Sequence, residues 1–410
     1  MKPLRVIVYP HSMELGGSQI NAIDIAGAVR DLGHDVTVYA EDGELVERVR
    51  SLGLPFVEAA RSHVRPSPGI ARHLAQTARQ LDADVLHGYE WPPALECFAA
   101  TARRHDQAAI VTVMSMAVAP FLPAGMPLVV GTAKIKAGLA GRRGSVDLIE
   151  PPVDTVADAP GVGGAEFRAR LQVASGVRVV VVVSRLVQEL KLEGILTAIR
   201  ACGRLAATHQ LLLVIVGDGP ARALVEDEAT RANSAAGREV VRLVGALPDP
   251  RGAYDAADVV LGMGGSALRA LAFAKPLIVQ GERGFFEALT PTTEPLFLDQ
   301  GWYGVGSDDS PRAAEDRFIG LVQPLLDDAA LRRTRGDAGR VLVEDRFSLT
   351  RAARVQVEIY RRALATPGEV PRTVAEGVAA AGGVARYKIV RRVQRVRGLA
   401  SVDDFNARSR

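Results

Sequence analysis

The chain has very little cysteine and no metal-binding pattern. Only two of its 410 residues are cysteine, Cys97 and Cys202, and neither lies in a CxxC or histidine-rich spacing. These counts argue against a disulfide framework, a zinc site and a dithiol redox pair. Both cysteines are expected to be small residues of the core.

Long hydrophobic runs and an excess of one charge are also missing. No apolar run approaches the roughly 20 residues of a membrane-spanning helix. The apolar run that ends at Tyr9 is too short for a signal sequence and is predicted to be a first buried strand, so we expect a cytoplasmic protein. A formal net charge of +3 is nearly neutral for this length, which disfavours a nucleic-acid-binding protein.

What the chain does contain is a regular alternation of short apolar runs and longer amphipathic segments. This alternation is typical of buried parallel strands joined by helices. The predicted strands are Arg5–Tyr9, Asp35–Tyr39, Val85–Gly88, Ile110–Val113, Leu128–Gly131, Val146–Glu150, Arg178–Val183, Leu211–Val216, Val240–Val244, Val259–Leu261 and Leu277–Val279. The pattern occurs twice and predicts an α/β protein with two doubly wound, Rossmann-like domains that face each other across a cleft.

Linker-like segments suggest where these domains end. A stretch rich in Ala, Gly and Pro follows Asp154, and a second linker follows Leu364. We therefore predict domains over 1–160 and 161–345, a closing helix over 346–364, and a linker with a basic tail over 365–410.

The tail contains a short basic helix candidate with an apolar stripe. Ile389, Val390, Val393 and Val396 share one side and are flanked by cations. Such a helix fits an anionic membrane surface, which here would be the inner face of the cell membrane. It equally fits a solvated helix packed on the domain edge. The sequence leaves both interpretations open.

Cations and glycines follow two consecutive strands of the second predicted domain. Arg185 and Lys191 come after Arg178–Val183, and Gly217 comes after Leu211–Val216. The carboxyl ends of parallel strands share one edge of a sheet, where open α/β sheets bind ligands. A guanidinium and an ammonium there could neutralise two phosphoryl groups, which predicts an anionic ligand such as a diphosphate. An exposed, salt-bridged pair is the alternative.

Glycines before helices offer further phosphate contacts. Gly16 and Gly17 precede one predicted helix, and Gly264 and Gly265, followed by Ser266, precede another. A helix start presents free N–H groups and a positive dipole to an anion. The first pair is equally compatible with a simple tight turn. Neither is a GxGxxG fingerprint, so a nicotinamide or flavin enzyme is disfavoured.

An ordered set of short motifs carries a family resemblance. The set runs over residues 4–364 and comprises Gly16-Gly17, Leu32–Val38, Asp84–His87, Pro152–Asp154, Ser184–Leu186, Lys191, Gly217–Pro220, Gly245–Pro248 and Tyr254–Asp258. In this order the motifs resemble glycosyltransferase family 4, which has the GT-B fold.

The resemblance implies a hexosyltransferase-like enzyme of carbohydrate biosynthesis that uses a nucleotide diphosphate sugar as co-substrate, without a metal or other cofactor, and transfers with retention. It implies that Arg185 and Lys191 hold the diphosphate, with Gly17 meeting the same phosphates from the opposite domain. The Gly245–Pro248 loop would border the base, and Gly217, Gly245, Leu247 and Pro248 would belong to the nucleotide pocket. His87 would lie near the sugar or the acceptor, although a histidine at a strand end is often a structural residue.

One departure from the family pattern bears on this implied function. Two glutamates usually follow the Tyr254–Asp258 element, one touching the donor sugar and the other the ribose, but here Leu261 and Arg269 occupy those places. A donor-only guanidinium cannot accept the ribose hydrogen bonds. Arg269 could bind phosphate in the nucleotide pocket or pair with Glu282 or Glu287. The alternative to an enzyme is a noncatalytic nucleotide-sugar-binding or scaffolding protein.

Overall fold

The structure is a computed structural model that describes residues 2–62, 64–102, 104, 106–115, 117–307, 310–366 and 370–396. The chain forms two compact units. One consists of Met1–Pro152 with Leu349–Arg410, and the other of Val153–Ser348. The division falls at Pro152, rather than at residue 160, and the last part of the chain belongs to the first unit.

The first unit is built on a parallel sheet of seven strands. The strands are β1 (Arg5–Tyr9), β2 (Asp35–Ala40), β3 (Phe56–Glu58), β4 (Val85–Tyr89), β5 (Ala108–Val113), β6 (Leu128–Val130) and β7 (Val146–Leu148). Their order is β3-β2-β1-β4-β5-β6-β7, so the chain changes winding direction between β1 and β4. Before the chain enters the second unit at Val153, the helices of the first unit are α1 (Gly17–Asp31), α2 (Val46–Ser51), α3 (Pro68–Gln80), α4 (Trp91–Thr101) and α5 (Ala133–Ala137).

The second unit has a sheet of six strands. They are β8 (Arg178–Val183), β9 (Leu211–Val216), β10 (Val241–Gly245), β11 (Val259–Gly262), β12 (Leu277–Gln280) and β13 (Phe286–Ala288). The order is β10-β9-β8-β11-β12-β13, and β13 is antiparallel to β12. The helices are α6 (Gly164–Arg170), α7 (Leu192–Leu205), α8 (Arg222–Ala236), α9 (Arg251–Ala256), α10 (Gly265–Ala272), α11 (Glu294–Gln300), α12 (Pro311–Asp327) and α13 (Ala329–Arg346).

The valine run of β8 shows why the buried strands could be recognised in the sequence. Val180 and Val182 pack into the core on one face of the sheet, and Val179 and Val181 pack into the core on the other. Because both faces are covered, the strand is continuously apolar. Each such side chain contributes about 1.5–3 kcal/mol on burial. Cys97 and Cys202 are both fully buried, as predicted from the sequence.

Two helices at the end of the chain complete the first unit. Helix α14 (Leu349–Ala365) begins directly after Ser348 and buries Ala353, Val357 and Tyr360 against the sheet. Helix α15 spans Val370–Val396 and is therefore much longer than the predicted basic segment. Residues 367–369 and 397–410 of the predicted linker and tail, and the side chain of Val396, lie outside the described part of the chain.

Helix α15 has two different apolar faces. On one face Ala380 and Val384 are buried in a cluster with Phe121, and the ring of Tyr387 lies 5.9 Å from that of Trp91. The other face is exposed and consists of Val374, Val378, Ile389 and Val393, with the exposed cations Arg386, Lys388 and Arg392 beside it. No helix of the described residues is long and apolar enough to cross a bilayer.

Candidate functional site

The candidate phosphate-binding residues of the second unit lie at its topological switch point. Strand β8 pairs with β9 on one side and with β11 on the other, and the crossovers leave β8 and β11 in opposite directions. The loops after these two strands therefore diverge at the carboxyl edge of the sheet, which is where open α/β sheets bind ligands. Arg185 and Lys191 lie in the loop after β8, and Gly264 to Ser266 lie after β11.

The loop after β8 is held in place by hydrogen bonds among the loops at the carboxyl edge of the sheet. The backbone N–H of Leu186 donates to the carbonyl of Asp218 at 2.9 Å, and that of Gly217 donates to the carbonyl of Gly245 at 2.8 Å. These bonds tie the loops after β8, β9 and β10 together. Leu190 adopts a left-handed conformation with φ 66°, which costs a non-glycine residue about 1–3 kcal/mol. Such strain is typical of loops that hold functional side chains.

Arg185 and Lys191 form a positively charged site. Arg185 is exposed and Lys191 is half-buried at the start of α7. Burial lowers the pKa of Lys191, and the nearby Arg185 guanidinium lowers it further. Within the described ranges, neither side chain forms an ion pair with a carboxylate. Two neighbouring cations without a compensating anion are poorly suited to a purely structural role and are well suited to bind a multivalent anion.

The glycines of the predicted nucleotide pocket shape the loops. Gly217 has φ 147°, and a Cβ there would lie 1.8 Å from the carbonyl oxygen of Ser184. Only glycine can occupy that position without moving the β8 loop. Gly245 has φ 75° at the end of β10. In the loop that follows, Leu247 is half-buried and Pro248 is exposed.

The turn before α10 only partly matches the predicted phosphate cradle. The N–H of Gly264 donates to the carbonyl of Trp302 at 2.7 Å and is therefore occupied within the protein. The hydroxyl of Ser266 is likewise bonded to the backbone of Met263. Gly265 and Ser266 lie in the first turn of the helix, where backbone N–H groups have no intrahelical partner, and a Cβ at Gly265 would meet nothing within 4 Å. Their backbone N–H groups remain the candidates for a phosphate oxygen.

Arg269 pairs with a different carboxylate from those the sequence suggested. Its Nε donates to the carboxylate of Asp158 at 2.7 Å, and Asp158 is only 4% exposed. Burial raises the pKa of Asp158, whereas the guanidinium opposes that shift. The contact joins α10 to the segment before α6, so Arg269 has a packing role, and its predicted place in the nucleotide pocket is not supported by this ion pair.

The first unit has its own switch point between β1 and β4. Gly16 is the N-cap residue of α1 after β1, and Gly17 opens the helix. Gly17 is exposed, and a Cβ there would meet nothing within 4 Å. The first-turn N–H groups of α1 are thus placed at the ligand-binding edge of this sheet.

His87 is a core residue of the first unit. It is completely buried, its Nδ1 lies 2.8 Å from the Tyr360 hydroxyl, and its Nε2 lies 2.7 Å from that of Thr112. Burial lowers its pKa to about 3, so the ring is neutral at physiological pH. With both nitrogens bonded inside the unit, His87 has no free ring nitrogen for a sugar or an acceptor, and the contact that the family resemblance implies for it is replaced by a structural role.

Glu90 was not singled out by the sequence motifs. It follows β4 at the switch point, is 2% exposed and has φ 65°, a strained value for glutamate. Its carboxylate accepts hydrogen bonds from the Ser18 hydroxyl, the Met114 N–H and the Ser115 hydroxyl. It therefore ties the start of α1 to the loop after β5. The only sequence signal is its position directly after a strand.

The described residues contain no group of three or more His, Cys, Asp or Glu side chains that could hold a metal ion. The cations at the carboxyl edge of the second sheet that were singled out from the sequence are Arg185 and Lys191.

Two family models match parts of the sequence. The family described as "Glycosyl transferases group 1" matches residues 177–319, and that described as "Glycosyltransferase Family 4" matches residues 15–125. The first match lies in the second unit and includes both cations, and the other lies in the first unit. No protein with a curated description matches the sequence.

Solved structures share the fold over most of the chain. A glycosyltransferase from Rickettsia africae has a TM-score of 0.69 at 16% identity, covering 88% of this chain and 99% of its own. Alr3699/HepE from Anabaena in complex with UDP has a TM-score of 0.66 at 16% identity, covering 88% and 100%. Sucrose-phosphate synthase from Thermosynechococcus elongatus has a TM-score of 0.64 at 16% identity, covering 88% and 99%. Together the family matches and the fold support a GT-B glycosyltransferase.

Proposed function

We propose that the chain transfers a hexose from a nucleotide diphosphate sugar to an acceptor, with retention and without a metal ion. The observation that carries this proposal is the pair of cations at the switch point of the second sheet, for which the described residues provide no carboxylate partner. In sugar transfer the bond to the diphosphate breaks and negative charge accumulates on the leaving group. Arg185 and Lys191 would stabilise that charge, and such electrostatic stabilisation is usually the largest catalytic contribution.

Backbone groups complete the proposed donor site. The first-turn N–H groups at Gly265 and Ser266 would bind phosphate oxygens, and the N–H groups at Gly16 and Gly17 are proposed as further phosphate donors. The loop after β9, which begins at Gly217, and the segment Gly245–Pro248 at the end of β10 would border the nucleoside. The complexes of Alr3699/HepE with UDP and with UDP-glucose show that a protein of this fold binds such a donor, which supports the choice of ligand class.

Turnover tests the role of the two cations. Arg185→Ala and Lys191→Ala should each lower kcat by about 10²-fold or more, the scale of losing a preorganised charge donor. Arg333→Ala is the matched control, because Arg333 is an exposed arginine on α13. The residue before it, Arg332, forms an ion pair with Asp258, which lies at the opposite edge of the sheet. Wild-type turnover in both cation variants would contradict the proposal.

A noncatalytic nucleotide-sugar-binding or scaffolding protein is the second candidate. It is favoured by Leu261, which is fully buried in the core, and by Arg269, which is ion-paired, at the two places where the family resemblance implies glutamates. Calorimetry with UDP, GDP, ADP and dTDP, followed by assays of donor hydrolysis and of transfer to many acceptors, separates the two candidates. Binding without turnover would favour the second one.

We also propose that the exposed face of α15 contacts an anionic membrane surface. Val378 and Ile389 are 70% and 65% exposed on the face opposite the buried one, and cations lie beside them. Apolar side chains flanked by basic ones suit the interface of an anionic bilayer. This contact would hold the protein at the inner face of the cell membrane.

Flotation with liposomes tests the membrane contact on the full chain. Val378→Ser with Ile389→Ser should lower recovery with phosphatidylglycerol-containing liposomes severalfold and leave the negligible recovery with pure phosphatidylcholine unchanged. Leu224→Ser is the control, since Leu224 is an exposed leucine of α8 in the other unit. Equal recovery of the double variant and the wild type would remove the membrane proposal.

A further inference from the structure

A hydrogen-bonded tyrosine–glutamate pair lies at the carboxyl edge of the second sheet. Glu282 follows the end of β12, and the Tyr303 hydroxyl donates to its carboxylate. The backbone holds the two residues side by side. The N–H of Glu282 donates to the carbonyl of Gly304 at 3.0 Å, and the N–H of Gly306 donates back to the carbonyl of Glu282 at 2.9 Å.

Further hydrogen bonds connect this pair to both parts of the proposed phosphate site. On one side, the carbonyl of Trp302 accepts the N–H of Gly264, directly before α10. On the other, the carboxylate of Glu193 accepts the N–H groups of Arg283 at 3.0 Å and Gly284 at 2.7 Å. Glu193 lies in the first turn of α7, just after Lys191. The pair is thus anchored to the start of α10 and to the start of α7.

The proposed donor site otherwise lacks hydroxyl acceptors. Its members are cations and backbone N–H groups, which donate hydrogen bonds, whereas the hydroxyls of a sugar also need acceptors. Two other carboxylates of this edge already have partners, since Glu193 accepts two backbone N–H groups and Asp218 binds Arg222. A carboxylate has about four acceptor positions, so the bond from Tyr303 leaves capacity on Glu282.

The order of the strands indicates which part of the donor would reach Glu282. The diphosphate would lie at β8 and β11, and the proposed nucleoside loops follow β9 and β10 on one side of it. Strand β12 lies on the other side. A donor that extends along the edge from its nucleoside through its diphosphate therefore brings its sugar toward β12.

We propose that Glu282, oriented by Tyr303, accepts hydroxyl hydrogen bonds from the sugar of the nucleotide-sugar donor and thereby sets donor choice. This inference rests on the proposed function and assigns its sugar-recognising residue. Tyr303 acts as a positioning residue, since its hydroxyl fixes the carboxylate before the donor arrives, and such preorganisation increases selectivity. The carboxylate that the family resemblance implies near the sugar is absent at Leu261 and is supplied here by the loop after the neighbouring strand.

Glu282→Gln and Tyr303→Phe test the proposal by comparing a bare nucleotide diphosphate with the same nucleotide carrying a sugar. Calorimetry first measures UDP, GDP, ADP and dTDP against the wild type and then the glucose and galactose conjugates of the nucleotide that binds. Glu282→Gln should bind the bare nucleotide diphosphate within about twofold of the wild type and lose about tenfold or more in affinity for the sugar conjugate. Tyr303→Phe should show the same split to a smaller extent, and discrimination between glucose and galactose should shrink in both variants.

Glu287→Gln is the matched control, because Glu287 is a half-buried glutamate within the adjacent strand β13. Thermal unfolding verifies that each variant is folded. If Glu282→Gln weakens binding of the bare nucleotide and of its sugar conjugate equally, or weakens neither, the proposed role of Glu282 is overturned. The proposed function would stand in that case. A wild type that binds none of the nucleotides would contradict the proposed function, and the sugar site with it.

Discussion

Gly217→Ala is expected to be one of the most damaging single-methyl changes in the second unit. Gly217 has φ 147°, and the added Cβ would lie 1.8 Å from the carbonyl oxygen of Ser184. That oxygen belongs to backbone, so it cannot rotate away as a flexible side chain would. Ser184 immediately precedes Arg185, and its N–H is bonded to the carbonyl of Val216 at 2.9 Å. The substitution therefore forces the β8 and β9 loops apart.

Two contributions set the size of the effect. A non-glycine residue in this backbone conformation costs about 1–3 kcal/mol. Relief of the overlap by shifting the backbone costs about 1–3 kcal/mol more. We expect Gly217→Ala to lower the free energy of unfolding by about 2–6 kcal/mol. The control is Gly237→Ala, since Gly237 has φ 63°, an added methyl group there would meet nothing within 4 Å, and the variant should lose only about 1 kcal/mol.

Urea unfolding, followed by tryptophan fluorescence, measures the free energies of unfolding of the two glycine variants in the second unit. Trp91 lies in the first unit and Trp302 in the second, so a Trp91→Phe background reports the second unit alone. The free energies come from linear extrapolation of each transition. Equal losses for the two glycine substitutions would refute the close approach of the loops. A large loss for Gly217→Ala should be accompanied by weaker nucleotide-diphosphate binding, because Arg185 moves with Ser184.

Three further predictions concern titratable groups. Lys191→Met should raise the free energy of unfolding at pH 7 in urea titrations and weaken nucleotide-diphosphate binding, because the lowered pKa of Lys191 means that the fold disfavours its charged form. Arg269→Ala should cost about 1–3 kcal/mol by leaving buried Asp158 unpaired, while calorimetry shows nucleotide affinity unchanged within about twofold. His87 has a pKa lowered from 6.5 to about 3, so it stabilises the fold above pH 6.5, and this contribution is lost as the pH falls toward 3. Urea titrations at several pH values should show a shallower loss for His87→Gln over that range, and an identical slope would contradict the buried, neutral ring.

The fold could be predicted from the sequence where a strand is buried on both faces. The strands Arg178–Val183 and Leu211–Val216 have the predicted bounds because their apolar runs are unbroken. Strands β3 and β13 were missed, since each has three residues and lies at a sheet edge, where the apolar signal is weak. The long helix α15 was only partly predicted, because its middle segment, residues 379–383, consists of small residues that carry little hydrophobic signal.

The site was predictable only where function depends on position along a strand. The position of Arg185 and Lys191 at the carboxyl edge could be predicted, because a residue that follows the end of a parallel strand must lie at that edge. The partners of Arg269 and His87 could not, since Asp158 and Tyr360 come from distant parts of the chain. The strained backbone of Glu90 likewise has no signature in its sequence.

A crystal of the protein soaked with the nucleotide diphosphate that binds most tightly tests the central claim most directly. The account predicts pyrophosphate density within hydrogen-bond distance of the Arg185 guanidinium and the Lys191 ammonium, at the carboxyl ends of β8 and β11. Density for the diphosphate at another place, with both side chains in contact only with water, would contradict it.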